Sequence, residues 1–490
     1  MASASTDDCE KDAPCKTSTR DNQETRAVQA VPVSGLDMTP DELKLAINLK
    51  MDMVILPLLS LLYLMNGIDR SNVGNAATST YTEDVGMPKT SVNNAVTLFY
   101  ITFIVFQPIS AAVGKRLGVR VWIPVLMVCW GALTIAHAWT LNEGMLIVLR
   151  LLIGAFEAGF YACSVYYLSS CYVRFDLAFR VALFYGSYAV AGAFSGVLAF
   201  GLLQLDGSLH GWQYLFIVEG ALTIALAVFA FFWLPKDMTT AWFLNEQERA
   251  WQRERMLRDS GGRDNTSTDL TRSDLIEAAK DWKFWTVLPC NIAASLPNQA
   301  FSVFLPLITQ GLGYKSYRAN LFAVPIYVVG AVGLFIITWA SDKRQQRGWF
   351  ILGSLGFVFT GLLMVCLITS NQGRYASLCI LQIGAYAAPP LTVGKRALIL
   401  CMNGWGNVSG VAGSQLFRPA YAPRYLVPFY VSLGINIFSI VGYTAYRFLL
   451  WSVNRSRDIQ TRDWTEEDWK RENESAERKG DNKLTFRYTL

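Results

Sequence analysis

The sequence is short of charge, of histidine and of paired cysteine. Only 17% of its 490 residues are Asp, Glu, Lys or Arg, against roughly a quarter in soluble globular chains, which argues against a large soluble enzyme. Two histidines, His137 and His210, stand far apart. No metal-ligand spacing occurs, so neither a metal nor any other cofactor is expected. Nine cysteines are scattered, Cys9 and Cys15 near the start and the others in or beside apolar runs. No close pair falls in an outside loop, which excludes a disulfide framework, and the thiols read as small polarizable core residues. The opening segment is polar, mixed in sign and without the apolar core of a secretory signal. Residues 1–50 are expected to form a disordered cytosolic tail. The net charge of +5 lies mostly in loops and tails. It bears on membrane orientation, not on nucleic acid.

What the chain has in abundance is apolar runs of bilayer length. Hydrophobic residues make up 52% of it, gathered in stretches of about twenty residues, the length that crosses a hydrocarbon core. Spans are predicted at 54–76, 92–113, 121–138, 145–168, 182–203 and 212–234. After a polar stretch they resume at 284–307, 321–340, 350–369, 376–391, 397–417 and 427–451. The fold class is therefore an all-α membrane protein with about twelve transmembrane helices in two six-helix bundles. The bundles are expected at 51–234 and 284–451, joined by a cytosolic loop at 235–283 and followed by a cytosolic tail at 452–490. Within the loop, Asn245 and Glu248 occupy reciprocal capping positions of one helix, and SDLIEAAKDW predicts a second. Basic residues mark the inner loops: Lys115, Arg116 and Arg120, then Arg174 and Arg180, then Lys343, Arg344 and Arg347. That bias puts both termini in the cytosol.

Ionisable residues at membrane depth are costly, and those retained face a polar path or one another. Arg150 and Glu157 lie seven residues apart in the fourth run, close to two helical turns, and so share a face. A carboxylate whose acidity changes as a cation approaches and leaves can carry a proton; a static ion pair that pins helices is the alternative reading. Asp69 and Arg70 close the first run on faces about 100° apart, with Asn66, Asn72 and Asn75 nearby. One can meet substrate while the other meets a helix, or both can simply end the span. Gly192–Gly196 and Gly406–Gly410 have the spacing that lets helices approach closely. Asn298 and Gln299 in the seventh run and Asn403 and Asn407 in the eleventh are candidates for a polar wall in the second half. The loops GKRLGVR and WASDKRQQRG occupy matching places in the two halves, and Arg116, Asp342 and Arg344 are candidates for charge pairing that holds one transport state.

With LMNGIDRSNVGNA (64–76), the long segment from RLLIGAFEAGF to SGVLAFGL (150–202), DGSLHGWQYLFIVEGALT (206–223), LNEQER (244–249), LGYKSYRANLFAVPIYVVG (312–330) and KRALILCMNGWGNVSG (395–410), the chain resembles the major facilitator superfamily. Within it the similarity is to the anion:cation symporter family, in its fungal allantoate, nicotinate, pantothenate and biotin permease branch. The resemblance implies proton-linked uptake of a small organic anion by a transporter, not an enzyme. The expected setting is the plasma membrane and the expected state a monomer. It implies proton coupling at Asp69 and Glu157 and substrate contact at Arg70 and Arg150; Asn72, Asn298, Gln299 and Asn407, read from their places on the spans, are the further substrate-contact candidates. Arg174, Arg180 and Glu219 also match the family pattern, in a conformational, gating role. One departure stands out: YAAPPLTVGKRAL runs directly from Pro390 to Lys395, shorter than the family stretch, with Gly394 in place of Thr. The alternatives are an exporter working by proton antiport, weakened because AGAFSGVLAFG lacks the exporters' proline, and a non-transporting nutrient receptor of the same fold.

Overall fold

The structure is a computed structural model that describes residues 39–205, 207–259, 282–314, 317–344, 347–391, 405–474 and 484–485. Among them every regular element is a helix. α1 (Pro40–Val54) and α2 (Leu56–Ala76) form the first span, broken at Ile55 just ahead of Pro57. The short α3 (Tyr81–Asp84) precedes α4 (Thr90–Leu117), α5 (Val119–Ala136), α6 (Glu143–Glu157), α7 (Phe160–Cys171), α8 (Arg174–Leu202) and α9 (Gly211–Trp233). α10 (Glu246–Asp259) belongs to the central loop. The second half comprises α11 (Trp282–Gly311), α12 (Tyr317–Arg344), α13 (Arg347–Leu367), α14 (Asn371–Leu391), α15 (Val408–Leu416) and α16 (Leu426–Gln460), and α17 (Glu466–Glu474) follows.

Ten of these stretches are long and apolar enough to cross a membrane. The expected tenth and eleventh spans correspond to α14 and α15, which flank residues 392–404. The shortened stretch through Gly394 and Lys395, the second loop helix and Asn403 all lie outside the described residues. Two boundaries differ from the sequence expectation. The tail does not run to residue 50: Thr39 and Glu42 form a reciprocal capping box, Pro40 sits in the first turn, and Leu43, Ile47 and Met51 bury one face of α1. The fourth span is not one helix. It breaks at Ala158-Gly159, immediately after Glu157, where a side chain on Gly159 would collide with Ser110.

The packing inverts the soluble pattern. α4 shows Ile101, Val105 and Ile109 outward, while Asn93, Gln107 and Ser110 are buried. In the first half α2 packs on α8, α4 on α6 and α5 on α9. The two halves meet where α8 packs on α12, α4 on α15 and α2 on α11. Small residues make these approaches possible. A Cβ on Gly192 would lie 2.6 Å from the Tyr327 ring, one on Gly196 2.8 Å from the Asn320 carbonyl oxygen, and one on Gly410 2.6 Å from the Tyr100 ring. Gly74 abuts the Val303 carbonyl in the same way.

At the end of the bundle where α8 begins, a polar clamp joins three segments distant in sequence. Arg180 donates from Nε and Nη2 to the two Asp52 carboxylate oxygens at 2.7 and 2.6 Å, and the Tyr172 hydroxyl donates to the same group at 2.8 Å. Asp176 accepts from Asn48 at 3.1 Å and is paired with Arg255 of α10 and with Lys44 at 3.7 Å. Glu248 bonds Lys50 at 2.7 Å and also caps Asn245 at 2.9 Å, and the buried Gln252 donates to the Cys171 carbonyl at 2.7 Å. Burial alone would raise the Asp176 carboxyl, but the Asn48 amide, Arg255 and Lys44 outweigh it and hold it below the ordinary carboxylate range.

Two outcomes follow from this packing. Asp176→Asn removes the charge that holds α10, so docking is expected to weaken by about 1–3 kcal/mol, read as faster limited proteolysis of residues 246–259. Because the Asp176 acidity is depressed in the folded protein, its contribution is present above the unfolded carboxyl range and is lost as pH falls through its lowered value. Acidification should therefore release the same segment in the wild type and change little in the variant. Separately, Gly192→Val should lower the thermal midpoint through overpacking worth about 1–3 kcal/mol, whereas Gly201→Val, with open space around the Cβ position, should not.

Candidate functional site

The inner face of α2 presents Asn66, Asp69, Ser71, Asn72 and Asn75, all almost fully buried. Four of them, Asp69, Ser71, Asn72 and Asn75, meet a partner on a neighbouring helix, which offsets the cost of burying them. The Ser71 hydroxyl and the Asn75 amide both reach Ser195 Oγ on α8 at 2.7 Å, inside the Gly192–Gly196 approach. The adjacent charges Asp69 and Arg70 then diverge, as the 100° step per residue requires.

Asp69 turns into the first bundle. Its Oδ1 accepts from Thr134 of α5 and from Asn72, each at 2.7 Å. Asn72 accepts in turn from Arg150 of α6 at 2.5 Å. Arg150 lies within electrostatic reach of Asp69, Tyr81, Glu157 and Glu219. Glu219 of α9 is 1% exposed, and among the described residues neither of its carboxylate oxygens has a hydrogen-bond partner. His137, fully buried at the end of α5, places Nδ1 2.9 Å from the Leu133 carbonyl.

Arg70 turns the other way. Its Nε donates to Glu157 Oε1 at 2.7 Å. The guanidinium lies 4.5 Å from the centre of the Phe103 ring and 5.7 Å from those of Phe99 and Tyr188, close enough for cation–π attraction. Among the described residues no protein group bonds its two terminal nitrogens, so the outer edge of the planar fork has donors to spare. Beside it stands an aromatic wall in which Tyr63 stacks on Phe184 at 4.5 Å and on Tyr188 at 5.2 Å. Across from it, the second half contributes a polar wall: Gln299 accepts from the Tyr100 hydroxyl at 3.1 Å and donates to Asn407 at 2.9 Å.

The sequence-derived candidates thus separate into groups. Arg70 and Glu157 meet each other, and Gln299 and Asn407 meet each other across the boundary from Tyr100. Arg150 and Asn72 join Asp69 within the first bundle and make no bond to Gln299 or Asn407. Asn298 is buried, with Oδ1 unbonded. Glu219, grouped by sequence with the loop arginines, lies among Asp69, Asn72 and Arg150. Arg180 closes the clamp on Asp52. Arg116 and Arg344 are exposed. The side chains of Arg174 and Asp342 lie outside what is described. Sequence reasoning missed Thr134, Ser195, Tyr100, Tyr188 and Asp52. Of these only Ser195 carried a local signal, being the polar residue inside a small-residue motif.

The sequence model of the Major Facilitator Superfamily matches residues 59–414. The chain is 33% identical over 402 residues to the high-affinity nicotinic acid transporter of Saccharomyces cerevisiae, covering 80% of this chain and 75% of the relative. It is 34% identical over 431 residues to the MFS-type transporter efuF of Hormonema carpetanum, covering 84% and 86%. Among solved structures, the inward-facing, occupied form of a bacterial homologue of the human lysosomal transporter Spinster aligns with a TM-score of 0.61 at 14% identity, over 80% of this chain and 96% of that one. The xylose transporter XylE of E. coli aligns with a TM-score of 0.61 at 12% identity, over 79% and 96%. These two likenesses concern the fold.

Proposed function

The chain belongs to the Major Facilitator Superfamily and is a multi-pass membrane transporter, not an enzyme; from that premise we propose that it takes up a small organic anion together with protons by alternating access. The observation that carries the reading is the Arg70–Glu157 pair. The guanidinium is held at Nε by a carboxylate at 2.7 Å, while among the described residues its two terminal nitrogens have no bonded partner beside an aromatic wall and the boundary between the bundles. A carboxylate ligand is the natural partner of such a fork. Protonation of Glu157 weakens its hold on Arg70 and frees the cation for the incoming anion; departure of the anion returns Arg70 to Glu157, which favours release of the proton. Asp69, bonded to Thr134 and Asn72, is the second carboxylate of the proton-coupling network and is ionised in the resting state. Arg150 is its counter-charge and, with Asn72, sets how firmly it stays ionised.

Gln299, Asn407 and Asn298 contribute a neutral polar wall that suits the rest of a small planar acid. Nicotinic acid is the first compound to try, given the yeast relative. Rocking of the bundles about the α8–α12, α4–α15 and α2–α11 contacts exposes the site to each side in turn. Arg116, Arg174, Arg180, Asp342 and Arg344 are assigned to the cytosolic rim, where charge pairing biases one state. The protein is assigned to the plasma membrane as a monomer with both termini cytosolic, from the excess of Lys and Arg in the inner loops of the first half.

Cells expressing the protein should accumulate labelled carboxylate and lose it when a proton ionophore is added. Depletion of label would instead mark an exporter, and neither response would mark a receptor. Glu157→Gln, which mimics the protonated acid, should abolish accumulation but spare counterflow exchange; equal loss of both would leave the pair with a purely structural role. Arg70→Lys, which keeps the charge but loses the fork, should raise KM by about tenfold or more with a smaller effect on Vmax.

A further inference from the structure

The first bundle buries more acid than base. Three carboxyls lie within its spans at 3% exposure or less, Asp69, Glu157 and Glu219, and two cations accompany them, Arg70 and Arg150. His137 adds no charge to the balance. A backbone carbonyl can only accept, so Nδ1 carries the hydrogen that meets Leu133, and Nε2 has no partner. An unmatched ion in a buried interior is strongly disfavoured, so the set as built holds one proton more than full ionisation would allow. The question is which oxygen carries it.

Bonding separates the three acids. Glu157 has the Arg70 guanidinium at 2.7 Å. Asp69 has two donors at 2.7 Å, and Arg150 lies within electrostatic reach. Among the described residues neither Glu219 oxygen has a bonded partner, and the Asn72 side chain is the polar donor group beside it. The groups that reach it are Asn72 and Asp69 from α2 and Arg150 from α6, and both side chains of α2 already serve the Asp69–Arg150 contact. α5 brings its backbone at Gly131 against Gly220, the residue next to Glu219. We propose that Glu219 is the resident proton holder of this cluster, a neutral carboxylic acid in the resting transporter that positions the charge of Asp69 and Arg150.

Charge balance then fixes a stoichiometry, and this corollary rests on the anion-uptake reading. At rest, two cations face two ionised carboxylates and one protonated acid. With a monoanion on Arg70, one bundle carboxylate must become neutral, so one further proton enters with each anion. The loaded and empty forms carry the same net charge, so the membrane potential does not drive uptake.

The test of the proton holder needs no substrate. Infrared spectra of the purified, lipid-reconstituted protein at neutral pH should contain a protonated-carboxyl C=O band that shifts in deuterium oxide. Glu219→Gln should remove it, and Glu219→Asp should retain it at a displaced frequency. A wild-type spectrum without such a band, or one that Glu219→Gln leaves intact, overturns the assignment even if uptake is proton-coupled. Should the Gln variant not fold, the wild-type and Asp spectra decide on their own: a band that does not move in the Asp variant belongs to another acid. A purely structural role for Glu219 would alter the thermal midpoint without touching this band. For the corollary, uptake into vesicles should show one proton per monoanion and no response to an imposed potential; a charge carried per turnover overturns it and leaves the infrared result standing.

Discussion

A charge inside a lipid-spanning bundle is tolerated only while something of opposite sign or a set of donors faces it. In this protein the contact between Arg70 and Glu157 meets that demand, and the rest of the site is arranged around it. Neither residue can leave the other without a replacement. For Glu157 the replacement is a proton, and for Arg70 it is an anion from outside the protein. Coupling between the two solutes therefore needs no long-range wire. It is the statement that one buried bond is exchanged for two neutralised partners. The break between α6 and α7 at Ala158-Gly159 lies immediately past Glu157, beside the carboxylate that must change partners.

The second constraint is steric. Polar residues of α2 can bond across helices only because the helices come close, and they come close where side chains are missing. Ser195 receives Ser71 and Asn75 from a turn bounded by Gly192 and Gly196, whose opposite sides take Tyr327 and Asn320 of the second half. One short motif on α8 thus serves both a bond within the first bundle and the contact between bundles. A shift of α8 during rocking would be felt by α2, and through α2 by Asp69 and Arg70.

Periodicity made much of this legible. Spans of bilayer length, the six-and-six division and the divergence of Asp69 from Arg70 follow from counting residues along a helix. The same arithmetic put Arg150 and Glu157 on one face, and both are buried together. It did not reveal that they have different partners. At 1.5 Å per residue, seven residues separate them by about 10 Å along the axis, which is room for two sites rather than one. Arg150 finds the amide of Asn72, and Glu157 finds Arg70. The start of α1 was missed although TPDE spells a capping box, because the polar tail before it masked the apolar spacing of Leu43, Ile47 and Met51. The clamp of Asp52, Asp176 and Arg255 was missed for a different reason: its members come from three segments, and no local pattern encodes a contact across so many residues.

The placement of Glu219 bears on why two arginines are kept where one would bind an anion. If Arg70 alone stood among Asp69, Glu157 and Glu219, two of the three acids would have to be neutral in the empty transporter and all three in the loaded one. Arg150 lowers that load, so that only one acid need be neutral at rest. It keeps Asp69 ionised against a neutral Glu219, so that the remaining acid, Glu157, is the one whose charge depends on whether Arg70 has found another carboxylate. The adjacent residues Asp69 and Arg70, facing opposite ways from one rigid turn of α2, then link a compartment that conserves its charge to one that exchanges it.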